Sequence, residues 1–301
     1  MAVRGIGQAD DSPVSKSAML VCTACAVVSK DPVYARTFHD PYAELFATAI
    51  SVDAAGVLAG LDDAEARAAF IADWEQDLDG LITHVVYRKR WIGDHVAEAL
   101  AAGMRQLVIF GAGCDTLSMR LRDRLGAIPV FEIDRPEVIE FRRAVLADNT
   151  DVATNARLVP VDFERDDVAR HLAAAGFDPS LPTVFVAEAV MEYLTDREMD
   201  RLFAFVRGQA PVASRYLFTF LAREIYEGGD LDDVVAELKA GGEVLKFGLP
   251  PDRIDDFLAS RGFRKLDFAT PEWFRDVFIP PVGAPVGVIP GFHFVAAETV
   301  S

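Results

Sequence analysis

From Ser17 to about Ala101 the apolar residues recur at helical spacing. The run "DDAEARAAFIADWEQDLDGLITHVVYRKRWIGDHVAEAL" is interrupted only by turn signals, and "HDPY" stands ahead of it. After Gly103 short apolar runs alternate with helical stretches. That texture predicts βαβ units and a largely parallel sheet. Seven strands are expected: 106–111 "QLVIFG", 128–133 "IPVFEI", 157–161 "RLVPV", 183–188 "TVFVAE", 216–221 "YLFTFL", 264–268 "RKLDF" and 291–300 "GFHFVAAETV". The last two are close enough in sequence to pair antiparallel. The chain thus divides into a frayed terminus (1–16), an N-terminal helical cap (17–103) and an α/β core (104–301) with a helical insertion around 222–262.

Composition narrows the function classes. Of 301 residues 51% are apolar and 26% charged, the profile of a globular protein with a large core. The net charge of −17 repels phosphate backbones and anionic lipid, so neither nucleic acid nor a membrane surface is an expected partner. A small-molecule substrate feels only its own pocket and stays open, as does a homo-oligomer. Three cysteines suggest a reducing compartment. Cys22 and Cys25 have the spacing of a redox pair or half a zinc site, but no second pair sits at ligand spacing. They are expected to be buried on a helix, with no metal bound. The surrounding "AMLVCTACAVV" is too short to span a membrane and follows Asp10 and Asp11 where a secretory signal would be basic. These features predict a cytoplasmic protein.

The segment "VIFGAGCDT" (108–116) ends a strand in Gly111 and Gly113. Asp134 closes the next strand, where an acid can accept both hydroxyls of a ribose. A dinucleotide loop normally carries a third glycine, and here that position is Thr116. Asp115 at the helix start would oppose a phosphate. S-adenosylmethionine has no phosphate and two cationic centres, so the loop favours it over a nicotinamide dinucleotide. The next strand ends agree: Asp162 with Phe163 suits an adenine, and Glu188 suits an ammonium.

Taken together, "GAGCDTLSMRL", "FEIDRPEVIEFRR", "VPVDF" and "AEAVMEYL" resemble the successive motifs of the leucine carboxyl methyltransferase family. "FHDPYAELF" and "YRKRW" resemble its N-terminal region. The resemblance implies a Rossmann-like class I methyltransferase sheet and S-adenosylmethionine as cofactor. It implies that Gly111 and Gly113 form the cofactor loop and that Asp134 holds the ribose; Asp115, read from the loop itself, is a further expected cofactor-binding residue. Asp162 and Phe163 would flank the adenine, and Glu188 would face the amino-acid end. It also implies an arginine ahead of the first strand for the methionine carboxylate, with Arg90 the best match and Arg88 next. Read without the family, "YRKR" is a solvated basic helix face.

Methyl transfer to a carboxylate needs no general base, whereas a phenol must lose its proton. Among His39, His84, His95, His171 and His293 none stands out as that base, and His293 is a weak candidate on the last strand. Glu192 is a departure from the family pattern and either contacts a polar acceptor or faces solvent; Tyr193 is a further pocket candidate. The segment 222–250 reads as a lid, and Arg36, Arg223, Lys239 and Lys246 are unranked cations for an anionic acceptor. The leading expectation is O-methylation of a small natural-product intermediate, a polyketide carboxylate or phenol. A peptide or protein C-terminus is the enzyme alternative; an NAD(P)-dependent oxidoreductase and a non-catalytic cofactor-binding protein are the alternatives from other classes.

Overall fold

The structure is a computed structural model that describes residues 12–77, 80–150, 152, 154–163, 165–228, 242–278 and 289–300. Helix α1 (Lys16–Lys30) begins where the Ser15 hydroxyl accepts the Ala18 amide, and it buries Cys22 and Cys25 on its inner face. Helices α2 (Ala43–Ile50), α3 (Val52–Gly60), α4 (Ala64–Asp77) and α5 (Leu81–Ala101) complete the N-terminal region. None of the described helices is long and apolar enough to cross a membrane.

All seven expected strands are present: β1 (Gln106–Phe110), β2 (Val130–Asp134), β3 (Ala156–Pro160), β4 (Thr183–Ala187), β5 (Arg215–Leu221), β6 (Phe263–Ala269) and β7 (Phe292–Thr299). They form one sheet in the order β3-β2-β1-β4-β5-β7-β6. Strands β1 to β5 are parallel, so their carboxyl ends share one edge. β7 inserts between β5 and β6 and runs antiparallel to both. The strands alternate in the faces they present. Leu107, Ile109, Val130, Val184 and Val186 pack with Trp91, Ile92 and Val96 of α5. Val108, Phe110, Phe131, Phe185 and Phe218 pack with α9 (Val168–Ala174), α10 (Asp196–Gly208) and α12 (Ile254–Ala259) on the other side. A parallel sheet covered on both faces needs such continuous apolar strands.

α5 belongs to two layers. Its first half (Ile82, Val85, Val86) joins the cap cluster with α1, α2 and α3, while its second half lies on the sheet. A division at residue 103 therefore falls after a helix already built into the core. Cys114, Met119 and Val145 of the core also enter the cap cluster, so the cap rests on the loop after β1. Of the expected insertion, α11 (Arg223–Gly228) and residues 242–262 are described, whereas 229–241 lie outside the described residues together with Lys239.

Candidate active site

The site gathers at the carboxyl ends of β1, β2 and β4, where an open α/β sheet binds its ligands. Gly111 (φ +63°) and Gly113 (φ +46°) turn the chain out of β1 with left-handed backbones that suit glycine. A Cβ on Gly111 would also meet Val190 Cγ2 at 2.7 Å. Asp134, at the end of β2, accepts the Gly113 amide on Oδ2 (2.7 Å) and the Arg135 amide on Oδ1 (2.8 Å). Burial raises its pKa, and these two amides oppose the shift. A carboxylate has about four lone-pair positions, so two remain for further donors.

The loop rests on a buried ion pair that sequence reasoning passed over. Arg142 of α8 (Pro136–Asp148) is fully buried and donates to Glu132 Oε2 through Nε (3.1 Å) and Nη2 (2.5 Å). The Ser118 hydroxyl donates to Glu132 Oε1 (2.5 Å). Arg142 Nη1 then donates to the carbonyls of Gly113 (2.8 Å) and Asp115 (3.0 Å). The signal was a lone glutamate inside the apolar strand "VFEID". The position of the absent third glycine is occupied too: the Thr116 hydroxyl donates to Asp40 Oδ2, and Arg120 Nε donates to Thr116 Oγ1 (3.1 Å). Asp40 in turn caps α2 by accepting the Tyr42 and Ala43 amides. The "HDPY" motif thus ties the cap to the loop, through its aspartate, while His39 is exposed.

At the end of β4 the charges are concentrated. Arg88 Nε lies 2.7 Å and Lys89 Nζ 2.8 Å from Glu188 Oε1, with all three side chains nearly buried. Lys89 Nζ also donates to Asp115 Oδ2 (2.9 Å). Despite burial, Lys89 and Arg120 hold the Asp115 carboxyl well below the usual range. Asp115 is therefore an ion-paired helix-start residue that accepts the Leu117 amide, not a free acid on the rim. Arg88 Nη1 donates to His84 Nε2 (3.2 Å), which leaves the proton of this imidazole on Nδ1, facing the Tyr87 hydroxyl (2.7 Å). Burial, then Arg88 and Lys89, push the His84 pKa well down, so it is neutral.

Arg90 does not join this group. Its side chain is 46% exposed, pairs with Asp94 and donates to the Thr37 carbonyl. The reason is helical geometry: Arg88 lies on the arc of Val85, Ile92 and Val96, whereas Arg90 and Asp94 share the outward face one turn apart. Arg88 replaces Arg90 as the arginine facing the site.

Glu192 does not face solvent. It sits in a short 3-10 turn (Met191–Tyr193), 2% exposed, and burial pushes its pKa up to about 7 against the smaller pull of Arg88. Its carbonyl accepts the amides of Lys246 (2.7 Å) and Phe247 (3.2 Å), so the end of the insertion closes over this turn. Glu243 anchors that closure by accepting from the Ser17 amide (3.1 Å), the Ser17 hydroxyl and the Tyr193 hydroxyl (3.2 Å). Burial, then Glu192 and Glu243, raise the Tyr193 pKa, so its hydroxyl stays protonated.

Three of the expected residues lie outside the charged cluster at the end of β4. His293 stacks between Phe220 and Phe268, and burial lowers its pKa to about 4 although Glu272 and Glu224 oppose the shift. Held between these two rings, it is a neutral core histidine. Asp162 lies just beyond β3, 3.6 Å from Arg165, and Phe163 packs near Phe110 (6.1 Å between rings). Of the cations considered for an anionic acceptor, Arg36 donates to the Pro32 carbonyl, Arg223 to that of Gly248, and Lys246 is exposed.

The residues fit S-adenosylmethionine on an observation of their own. Glu188 Oε1 and Oε2, Arg88 Nε and Glu192 Oε2 are buried atoms with no well-aligned hydrogen bond. Ion-paired acceptors short of aligned hydrogen bonds, with a guanidinium donor at the same strand end, suit an ammonium and a carboxylate arriving together.

A protein of Saccharopolyspora erythraea, named as a candidate S-adenosyl-L-methionine-dependent methyltransferase, is 38% identical over 236 residues, 76% of each chain. A Mycobacterium avium protein of the same designation is 34% identical over 204 residues, 64% of this chain and less than two thirds (62%) of that one. A solved DUF574 family protein from Streptomyces avermitilis shares the fold at 14% identity, with a TM-score of 0.56 over 96% of this chain and 99% of that one. The profile of the leucine carboxyl methyltransferase family matches residues 18–207, from α1 to the end of α10. The chain belongs to the leucine carboxyl methyltransferase family.

Proposed function

We propose that the protein is an S-adenosylmethionine-dependent O-methyltransferase acting on a small molecule, such as a polyketide carboxylate or phenol. The observation that carries this is the buried Glu188–Arg88 pair with unsatisfied polar atoms beside a glycine loop fixed by Asp134. The names of the relatives support the cofactor assignment. Glu188 would accept the ammonium and Arg88 would bind the carboxylate of the methionine portion. Asp134 would accept the ribose hydroxyls on its remaining lone pairs, and Asp162 with Phe163 would flank the adenine. The cofactor supplies an electrophilic methyl group for in-line displacement. The protein's part is to fix the acceptor oxygen against that group and exclude water, which the turn at Glu192 and the segment Glu243–Leu249 favour by closing over the strand ends.

The family name gives a second reading, a peptide C-terminal carboxylate. A panel of peptide acids set against small aromatic acids and phenols separates this reading from the first.

Calorimetric titration of S-adenosylhomocysteine and NADH tests the proposal. S-adenosylhomocysteine should bind and NADH should not, and Asp134→Ala should weaken binding at least tenfold, about 1.4 kcal/mol. NADH binding alone would overturn it.

A further inference from the structure

Resting on that assignment of the site, we infer that Glu192 is the base that takes the proton of a hydroxyl acceptor, so that the acceptor is a phenol or enol and not a carboxylate. Three observations converge. The 3-10 turn after β4 is held at its backbone by Lys246 and Phe247, so the position of Glu192 is fixed. Its carboxyl receives a bond from its own amide, while Oε2 is buried without a hydrogen-bond partner. The charged and titratable groups that face it are Arg88 of α5, Glu188 at the end of β4 and Tyr193 of its own turn.

That environment selects the acceptor. Arg88, engaged by Glu188 and His84, is the cation assigned above to the methionine carboxylate, so a carboxylate acceptor would bring a further negative charge beside Glu188 and Glu192 that Arg88 is not left to meet. A hydroxyl brings the donor that Oε2 lacks. The acceptor's proton passes to Oε2, its oxygen lone pair forms the new O–C bond, and the electrons of the breaking C–S bond return to sulfur, leaving a thioether. A carboxyl shifted to about 7 is poised for this near neutral pH, where an unshifted glutamate is a weaker base.

The test joins a binding and a product measurement. In Glu192→Gln the affinity for S-adenosylhomocysteine should stay within twofold, while transfer to a panel of aryl hydroxyls falls at least 100-fold in kcat/KM. Glu192→Asp should recover part of that loss. For wild type, kcat/KM should rise with pH through about 7 as the carboxyl ionises, a limb the glutamine variant lacks. With aryl carboxylic acids in the same mixture, the products should be methyl ethers. Folding is checked by melting: a carboxyl whose pKa is raised in the folded state contributes stability below its ordinary 4.5 that is lost as pH rises through about 7. Glu192→Gln should thus melt no lower than wild type at pH 8. Methyl esters as the main product, ether formation within tenfold of wild type in Glu192→Gln, or a tenfold loss of S-adenosylhomocysteine affinity in that variant would overturn the inference. Failure of the wild type to bind S-adenosylhomocysteine would instead remove the methyltransferase assignment beneath it.

Discussion

At the end of β2, Asp134 has an oxygen on each of two backbone amides, those of Gly113 and Arg135. At the end of β4, Glu188 and Glu192 carry buried oxygens that accept no well-aligned hydrogen bond. The two ends lie on neighbouring sides of β1 in one sheet, yet they treat a carboxylate differently. The β2 end is self-satisfied: Arg142 and Glu132 beneath it complete the loop without any ligand. The β4 end is internally charge-paired but short of hydrogen bonds, the condition of a site that awaits polar groups from outside. Geometry is thus preformed on one side, and unsatisfied bonding capacity is held on the other.

Breaking the self-satisfied end should have the largest effect. Arg142→Met leaves Glu132 buried and unpaired and removes the donor to the loop carbonyls, so stability should fall by about 3–5 kcal/mol. The midpoint of urea unfolding measures this. Adding Glu132→Gln should restore part of the loss, because the uncompensated charge is then gone. An undiminished midpoint in the single variant would mean that the loop does not depend on this pair.

Removing the arginine from the other end should act on binding instead. Arg88→Ala is expected to weaken S-adenosylhomocysteine roughly 10–100-fold, the ~1.5–3 kcal/mol of a hydrogen bond to a charged group. Calorimetry reads it directly. The smallest effect should come from Arg90→Ala two residues on. That side chain forms an exposed i,i+4 pair with Asp94, so affinity should stay within twofold and stability within about 0.5 kcal/mol. If Arg90 proved the more costly of the two, the assignment of facing residues on α5 would be reversed.

Much of this molecule could be read from its residues. All seven strands lie within two residues of their expected limits, because the period of apolar positions changes where helix gives way to strand. The glycine loop and Asp134 were legible from strand-end spacing, and the structure joins them by a hydrogen bond. Arg88 was within reach as well: the same periodicity that found α5 puts Arg90 on its outer face. Helical angle separates the two, burying Arg88 beside Glu188 and leaving Arg90 exposed beside Asp94.

What the sequence by itself determined is the succession of elements, the facing of their apolar sides and the acids at strand ends, since these follow from local periodicity. Tertiary structure decided the rest. Only folding inserts β7 between β5 and β6, sets Arg142 under the loop from α8, and joins Thr116 to Asp40 across 76 residues. Only folding shows that Glu192 is buried while Arg90 is not, because burial depends on which segments close over a position. For Glu192 the covering segment arrives from residues 243–249, some fifty positions along the chain. Local pattern carries no information about so distant a partner, and a carboxylate's basicity is set by what surrounds it.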